Sequence, residues 1–486
     1  MRTAYSVETV RSAERELMAR LPEGALMRQA AAGLAAACAG LLRETRGRVY
    51  GSRVVLLVGS GDNGGDALYA GASLARRGAG VAAVLLAPGR THPGGLAALR
   101  AAGGRVAEDP FEVLATADLV LDGITGIGGT GGLRPDAVPV ARAARGSDAL
   151  IVAVDLPSGV AADSGEVAGE ALRADATITF GTYKPGLLVD PAREHAGALR
   201  LVDIGLGPYL PSVPALEALQ HEDVAALLPR PTGESDKYRR GVAGLVAGSA
   251  RYPGAAVLTV SGALRGGAGA VRYVGPGAEA VLARHPETLV HDGPPSRAGR
   301  VQAWVVGPGL GDGSWALSTV ADVLASDVPV LVDADGLRLL APEAVRARRA
   351  PTLLTPHAGE AAALLGVPRE EVEARRLASV RELAARYGAT VLLKGSTTLV
   401  ADPDPTVPVR VNPTGTPWLA TAGSGDVLSG LAGSLLAAGL TARDAGSVAA
   451  YLHGLAGRLG ARSAPVSADD VAELLPEAWR NVTGAP

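Results

Sequence analysis

The chain has 486 residues, 48% of them hydrophobic, and a formal charge of −3. That length suggests two or three domains with ample apolar surface for their cores, and the near-neutral charge gives no reason to expect nucleic acid or an anionic membrane as partner. A single cysteine, Cys38, excludes an intrachain disulfide and a thiolate metal cluster.

Abundant glycine and proline with few aromatics suit an α/β protein full of tight strand-to-helix turns. The small-residue run 30–42 is too short to span a bilayer, and the arginines and glutamates from Arg11 to Arg28 ahead of it do not resemble a secretory signal. The cytoplasm is therefore expected, and the small-residue helix permits close packing, within the chain or in a homo-oligomer. Apolar runs at 54–58, 81–86, 118–122, 150–155 and 176–180 then alternate with helix-like segments such as 66–77 and 94–102. Strands apolar on both faces and separated by helices predict a mostly parallel, doubly covered sheet, with ligands at its carboxyl edge. From 205 to 240 the pattern dissolves into prolines around one short helical piece, which divides the chain into a domain at 1–207, a linker at 208–235 and a domain at 236–486. A second series follows at 244–248, 270–274, 303–307, 329–333, 352–355 and 390–394. Runs at 397–401 and 407–411 stand too close for intervening helices and predict an antiparallel extension of the parallel sheet.

Only three of the 46 basic residues are lysine, Lys184, Lys237 and Lys394, and each stands beside a glycine-containing turn. Where arginine is the habitual cation, a lysine hints at a site that wants a compact ammonium rather than a planar fork.

Val58-Gly-Ser-Gly-Asp-Asn-Gly-Gly-Asp66 joins a strand to a helix, so its glycines permit close backbone approach and its amides can bind an anion. Alone it is as readily an ordinary turn, but Asn63 with Asp62 and Asp66 points to a site. Two more strand ends carry acids: Asp122, before Gly-Ile-Thr-Gly-Ile-Gly-Gly-Thr-Gly-Gly132, and Asp155, before Leu-Pro-Ser-Gly159. One such residue is usually a helix cap, whereas three on one sheet edge can hold a cation or shuttle a proton.

With Thr179-Phe-Gly-Thr-Tyr-Lys-Pro-Gly186, these motifs resemble the NAD(P)H-hydrate epimerase family. The resemblance implies a Rossmann-like domain that interconverts the R and S hydrates of nicotinamide cofactors, NADHX and NADPHX. It implies a potassium ion on Asn63, Asp122 and Ser158. It also implies substrate contacts from Asp62, Asn63, Gly64, Gly65 and Asp66, from Gly126, Ile127, Gly128, Gly129, Thr130, Gly131 and Gly132, and from Asp155. Asp62 stands where the family usually has asparagine, and Ala67 where glycine is frequent. Epimerisation at C6 needs a carboxylate within reach of the hydroxyl. Asp155 is the favoured candidate, with Asp66 and a substrate-assisted route left open.

The second half has no Walker lysine motif and no His-Glu-x-x-His. It carries glycine-bearing turns in a fixed order: Asp236 to Gly241, Arg251 to Ala256, Gly307-Pro-Gly-Leu-Gly311, Asp333-Ala-Asp335, Thr355-Pro-His-Ala-Gly-Glu360, Lys394-Gly-Ser-Thr-Thr398, Asn412-Pro-Thr-Gly415 and Ala422-Gly-Ser-Gly-Asp426. Singly, His357 reads as a core histidine, Asp333 and Asp335 as helix caps, and Tyr451 and His453 as packing.

The order of the turns resembles the ribokinase-like NAD(P)H-hydrate dehydratase family, and both halves together are similar to the bifunctional NAD(P)H-hydrate repair family. This implies phosphorylation of the S hydrate by ADP or ATP with magnesium, then loss of phosphate to restore NADH or NADPH. Residue by residue, it implies cofactor contacts from Ala255 or Ala256, Gly309, His357 and Asp426. Nucleotide contacts would come from Lys394, Gly395, Ser396, Thr397, Thr398 and Gly425. Backbone amides at the start of a helix near 427–436 can stabilise phosphoryl charge, and Asp426 beside them can take the hydroxyl proton. A carboxylate repels phosphate, so a base or a magnesium-linked role suits it better than plain charge stabilisation. Two other readings are a small-molecule kinase of ribokinase type, which shares the Gly-Asp turn but not the first-half motifs, and a dinucleotide-binding scaffold with a degenerate N-terminal site.

Overall fold

The computed structural model describes residues 1–129, 131–462 and 464–484, which form two compact units, one of Thr3–Ala215 and one of Leu216 onward with Met1–Arg2. A short strand β1 (Arg2–Ala4) opens the chain. The first unit then lays down β2 (Arg53–Val58), β3 (Gly80–Leu85), β4 (Arg105–Val106), β5 (Leu119–Gly123), β6 (Leu150–Val154), β7 (Ala176–Phe180) and β8 (Ala198–Val202). These pair in the order β4-β3-β2-β5-β6-β7-β8, parallel throughout. Strand order reverses between β2 and β5, so their carboxyl ends open the crevice where α/β sheets take ligands.

The small-residue run belongs to a longer element than expected. Its helix spans Ala25–Arg46, long and apolar enough to cross a membrane by length and composition. Leu34, Cys38 and Leu42 bury its inner face in the core with Leu56 and Leu74. Burial also pushes the Cys38 thiol up to about 12, which leaves it a packed apolar group rather than a reactive one. Gly33 is small for a packing reason, since a Cβ there would lie 2.3 Å from Val202.

In the second unit, β9 (Leu216–Ala218), β10 (Val242–Val246), β11 (Ala270–Val274), β12 (Leu289–His291), β13 (Ala303–Val306), β14 (Val330–Val332), β15 (Thr352–Leu354), β16 (Thr390–Leu393), β17 (Thr398–Ala401) and β18 (Val409–Asn412) follow. Their order is β9-β18-β17-β16-β15-β14-β13-β10-β11-β12. The run from β16 through β10 to β12 is parallel, while β16 with β17 and β17 with β18 are antiparallel, as the close spacing of those runs predicts. The stretch expected as linker carries β9, paired with β18, and the helix His221–Leu227, both in the second unit.

Two helices of this unit, Pro253–Arg265 and Ser424–Ala437, meet backbone to backbone. A Cβ on Gly262 would lie 2.2 Å from the Val427 carbonyl oxygen, and one on Gly430 would lie 1.9 Å from that of Thr259. Glycine is what permits this approach.

Candidate functional sites

In the first unit the helix after β2 begins at Asp62, four residues earlier than its apolar pattern suggests, because Gly61 at φ 102° makes the turn. Asn63, Gly64, Gly65 and Asp66 therefore lie on its opening turns rather than in a loop. Gly64 is required there, since a Cβ would sit 2.6 Å from the Gly59 carbonyl oxygen. The 126–132 stretch turns back against Asn63, whose side chain lies 3.1 Å from where a Gly126 Cβ would be. Gly129 donates to the Gly126 carbonyl at 3.0 Å, Gly131 is left-handed, and Gly132 closes on Gly169. Thr130 lies outside the described residues.

Asp122, at the end of β5, is fully buried and accepts from the Ser158 hydroxyl at 2.6 Å, the Ser158 amide at 2.8 Å and the Ile124 amide at 3.3 Å. Burial nevertheless pushes its carboxyl up to about 6. The side-chain amide nitrogen of Asn63 is buried with no hydrogen-bond partner. The Asp122 carboxylate, the Ser158 hydroxyl and the Thr125 carbonyl that Ser158 reaches at 3.3 Å, with the Asn63 side-chain oxygen 3.1 Å from the Gly126 Cβ position, make an oxygen-rich set suited to a hard cation.

Asp155, just past β6, sits at φ 65°, a strained position for a residue other than glycine. It is held there by the buried Lys184 ammonium, by the Thr179 hydroxyl at 2.9 Å and by the Phe180 amide at 3.3 Å. Lys184 also donates to Thr179 at 3.0 Å and to the Phe180 carbonyl at 3.1 Å, which uses all three of its protons. Asp66 has the opposite surroundings. One of its carboxyl oxygens is buried without a partner, and burial with Asp155, Asp62 and Glu14 nearby holds its carboxyl well above the usual range.

Two groups that motif reading missed come from the helix Val7–Met18. Burial pushes up the Glu14 carboxyl, with Lys184 opposing and Asp155 and Asp62 reinforcing the shift. Arg11, one turn before, lies 3.0 Å from the Gly128 Cβ position. Their i, i+3 spacing, which puts them on one helix face, was the available signal.

In the second unit Lys394 follows β16 directly and donates to Asp333 at 2.7 Å, with Glu360 3.8 Å away. The Ser429 hydroxyl holds the other Asp333 oxygen at 2.7 Å. Asp333 is thus no helix cap. Asp335 is not one either, because it accepts from the Gly311 amide at 2.8 Å, and between the two aspartates Ala334 adopts φ 50°. Gly425 faces this group, with Lys394 3.5 Å and Asp333 4.0 Å from its Cβ position. Asp426 lies in the first turn of Ser424–Ala437, beyond the left-handed Gly423. Burial and the Asp333 charge push its carboxyl up to about 7 against the pull of Lys394.

The Lys394 turn is held from behind by buried Arg376, which donates to the Lys394 carbonyl at 3.0 Å and the Thr397 carbonyl at 3.1 Å. Gly395 and Ser396 are exposed, whereas Thr397 and Thr398 are buried. Of the two alanines, Ala256 is fully buried against Gly248, while half-buried Ala255 meets half-buried Gly309, 2.7 Å from its Cβ position. His357 is exposed rather than core, and its Nδ1 accepts from the Gly359 and Glu360 amides at 3.0 and 3.2 Å. His453 does more than pack. Burial pushes it down to about 4, which keeps it neutral, and Nε2 donates to the Ser424 carbonyl at 2.9 Å, fixing the start of the Asp426 helix. Tyr451 packs edge-on against His221.

A general base works only when ionised, so the raised Asp426 carboxyl has a signed consequence. Nucleotide-dependent turnover at saturating nucleotide should rise as pH increases through about 7 and level off above it. A kcat/KM profile already flat from pH 5.5 upward would contradict the role.

Residues 243–477 match the family model described as NAD(P)H-hydrate dehydratase, and residues 23–186 match that of the YjeF-related protein N-terminus. The chain is 50% identical over 463 residues, 95% of its length and 94% of the relative's, to the bifunctional NAD(P)H-hydrate repair enzyme Nnr of Mycobacterium leprae. Among solved structures, the ADP/ATP-dependent NAD(P)H-hydrate dehydratase of Bacillus subtilis, co-crystallised with ATP/Mg2+, is 32% identical with a TM-score of 0.51, covering 56% of this chain and 99% of that one. A ribokinase-like superfamily protein of Enterococcus faecalis V583, 23% identical with a TM-score of 0.50 and covering 56% of this chain and 98% of that one, shows the fold alone.

Proposed function

The chain belongs to the bifunctional NAD(P)H-hydrate repair enzymes, and on that premise we propose how its two sites divide the work. It is an enzyme with two activities: it equilibrates R and S NAD(P)HX, and it dehydrates the S form to NAD(P)H at the expense of ADP or ATP. The observation that carries the assignment of roles is the matched layout of the two sites. Each places a lysine–aspartate pair at a strand's carboxyl end beside a second carboxyl pushed upward.

In the epimerase unit the two carboxyls have environments that separate their roles. Asp155, paired with Lys184, is the ionised group that takes the proton of the C6 hydroxyl. The C6–N1 bond then breaks with its pair on nitrogen, N1 adds back to the other face of the C6 carbonyl, and Asp66, whose carboxyl burial holds well above the usual range, is the acid that returns a proton to the oxygen. The amides and glycines of 62–66 and 126–132 hold the dinucleotide. Asn63, Asp122 and Ser158 are the residues that would hold potassium, which supplies fixed positive charge near the substrate.

In the dehydratase unit, Asp426 removes the C6 hydroxyl proton as that oxygen attacks the terminal phosphoryl group of the nucleotide. The helix-start amides around Gly425 and the Lys394 ammonium stabilise the charge on the transferring group. Phosphate then leaves C6 with its bonding pair and C5 gives up a proton, which restores the ring double bond. Magnesium supplies further neutralisation of the phosphates when bound. Among the described residues no three acids stand together to hold it, and the acids nearest Lys394 already accept from protein donors, so the nucleotide's own phosphates would supply its ligands. His357, Ala255 and Gly309 line the cofactor side, and Lys394 to Ser396 the nucleotide side. The cytoplasm and a homo-oligomer complete this reading.

Incubating the protein with mixed NADHX epimers, magnesium, and ADP or ATP separately should restore the dihydronicotinamide absorbance with at least one nucleotide and consume both epimers. Accumulation of a stable phosphorylated product would mark a simple kinase. Consumption of the S form alone, with the R form changing no faster than it does spontaneously, would reduce the first unit to a binder.

A further inference from the structure

A cavity of about 520 Å3 opens beside His357 and Glu360, and the rest of its lining has no part in the two-site reading. Its size falls within the roughly 300–1,000 Å3 of small-molecule sites. Leu337, Leu340 and Leu364 give it apolar walls, with Tyr387 among them, and its polar groups are His357, Glu360 and Arg338. Glu360 is already committed, because it accepts from the His357 amide at 2.8 Å and lies 3.8 Å from Lys394. Arg338 is exposed and makes no hydrogen bond or ion pair among the described residues. It is the cavity's one arginine, and it stands without a partner among the described residues.

The substrate is a dinucleotide of which only the hydrated ring reacts. Its other half is an adenylate: an apolar-faced base and ribose on an anionic phosphate. A cavity with apolar walls and one free guanidinium, next to the residue that faces the reacting ring, matches that chemistry. We propose that this cavity seats the adenylate half of NAD(P)HX, with Arg338 contacting its phosphates. This rests on the dehydratase reading above. The seat lets binding energy from a part of the substrate that does not react hold the ring in place, so it sets affinity for the hydrate and leaves phosphoryl transfer untouched.

The test is Arg338→Gln in the full chain, assayed with S-NADHX, S-NADPHX and the hydrate of reduced nicotinamide mononucleotide, which lacks the adenylate half. The expected result is a KM for both dinucleotides raised about tenfold or more, the loss appropriate to one charge-assisted contact. The KM for ADP or ATP should hold, as should the KM for the mononucleotide hydrate. An unchanged dinucleotide KM, or an equal loss with the mononucleotide, overturns the seat while leaving the dehydratase reading intact. Wild-type protein that forms no dihydronicotinamide from any of the three substrates overturns that reading, and the seat with it.

Discussion

Asp426→Asn should abolish nucleotide-dependent dehydration while the R and S hydrates continue to equilibrate at the wild-type rate. The change keeps the shape of the first turn of Ser424–Ala437 and removes only the group that can accept a proton. Positioned general bases contribute about 10²–10⁴-fold, and a loss of that order in kcat with unaltered nucleotide affinity is the expected pattern. Removing a negative charge that Asp333, Asp335 and Glu360 crowd should also relieve repulsion, so the variant's melting temperature should not fall. Retained dehydration would take the base role from Asp426. A loss confined to nucleotide binding would make it a ligand-holding residue instead.

The second large effect is expected at a residue that motif reading quoted without giving it a role. Lys184→Met should cost the epimerase most of its rate, because Asp155 would lose the ammonium that fixes its charge and its strained backbone position. Both partners are almost fully buried. Breaking a buried pair by removing one member costs about 3–5 kcal/mol, since the other is left as an uncompensated charge. The first unit should therefore unfold at lower temperature. Stability and chemistry separate in the double variant Lys184→Met with Asp155→Asn. It should recover much of the stability, because no lone charge remains, and none of the epimerisation. Epimer interconversion followed by chromatography, with thermal unfolding alongside, checks both. If the double variant epimerises, the Asp155 role is wrong. Dehydration of pure S hydrate serves as the internal control and should hold.

The strands were legible because the sheets are buried on both faces. Runs such as 54–58 and 303–307 carry no polar interruption and differ from β2 and β13 by one residue. The edge strands β8 and β12 were not, since a half-exposed edge need not be continuously apolar, and β9 was missed because it is only three residues long. Among site residues, the motif order located the strand-end acids and Lys394. It could not tell which of two adjacent side chains faces outward, and so Ala256 and the threonines at 397 and 398 were grouped with their exposed neighbours. Nor could it supply partners distant in the chain, such as Glu14 for the Asp155 pair or His453 for the Ser424 carbonyl. The scarcity of lysine was the one compositional clue that marked both charge pairs, and it gave no reason to prefer either over Lys237.

Gly307 follows β13 at φ 131°, where a Cβ would stand 1.8 Å from the Asp333 carbonyl oxygen at the end of neighbouring β14. Nothing reactive touches it. Yet Asp333 holds Lys394, so the spacing of two main chains sets where the ammonium stands, and one methyl group at 307 would push both away from the phosphoryl group. A substitution there is expected to cost as much activity as one at a residue that does the chemistry. Tolerance to substitution in this enzyme therefore follows backbone clearance as closely as it follows chemical role.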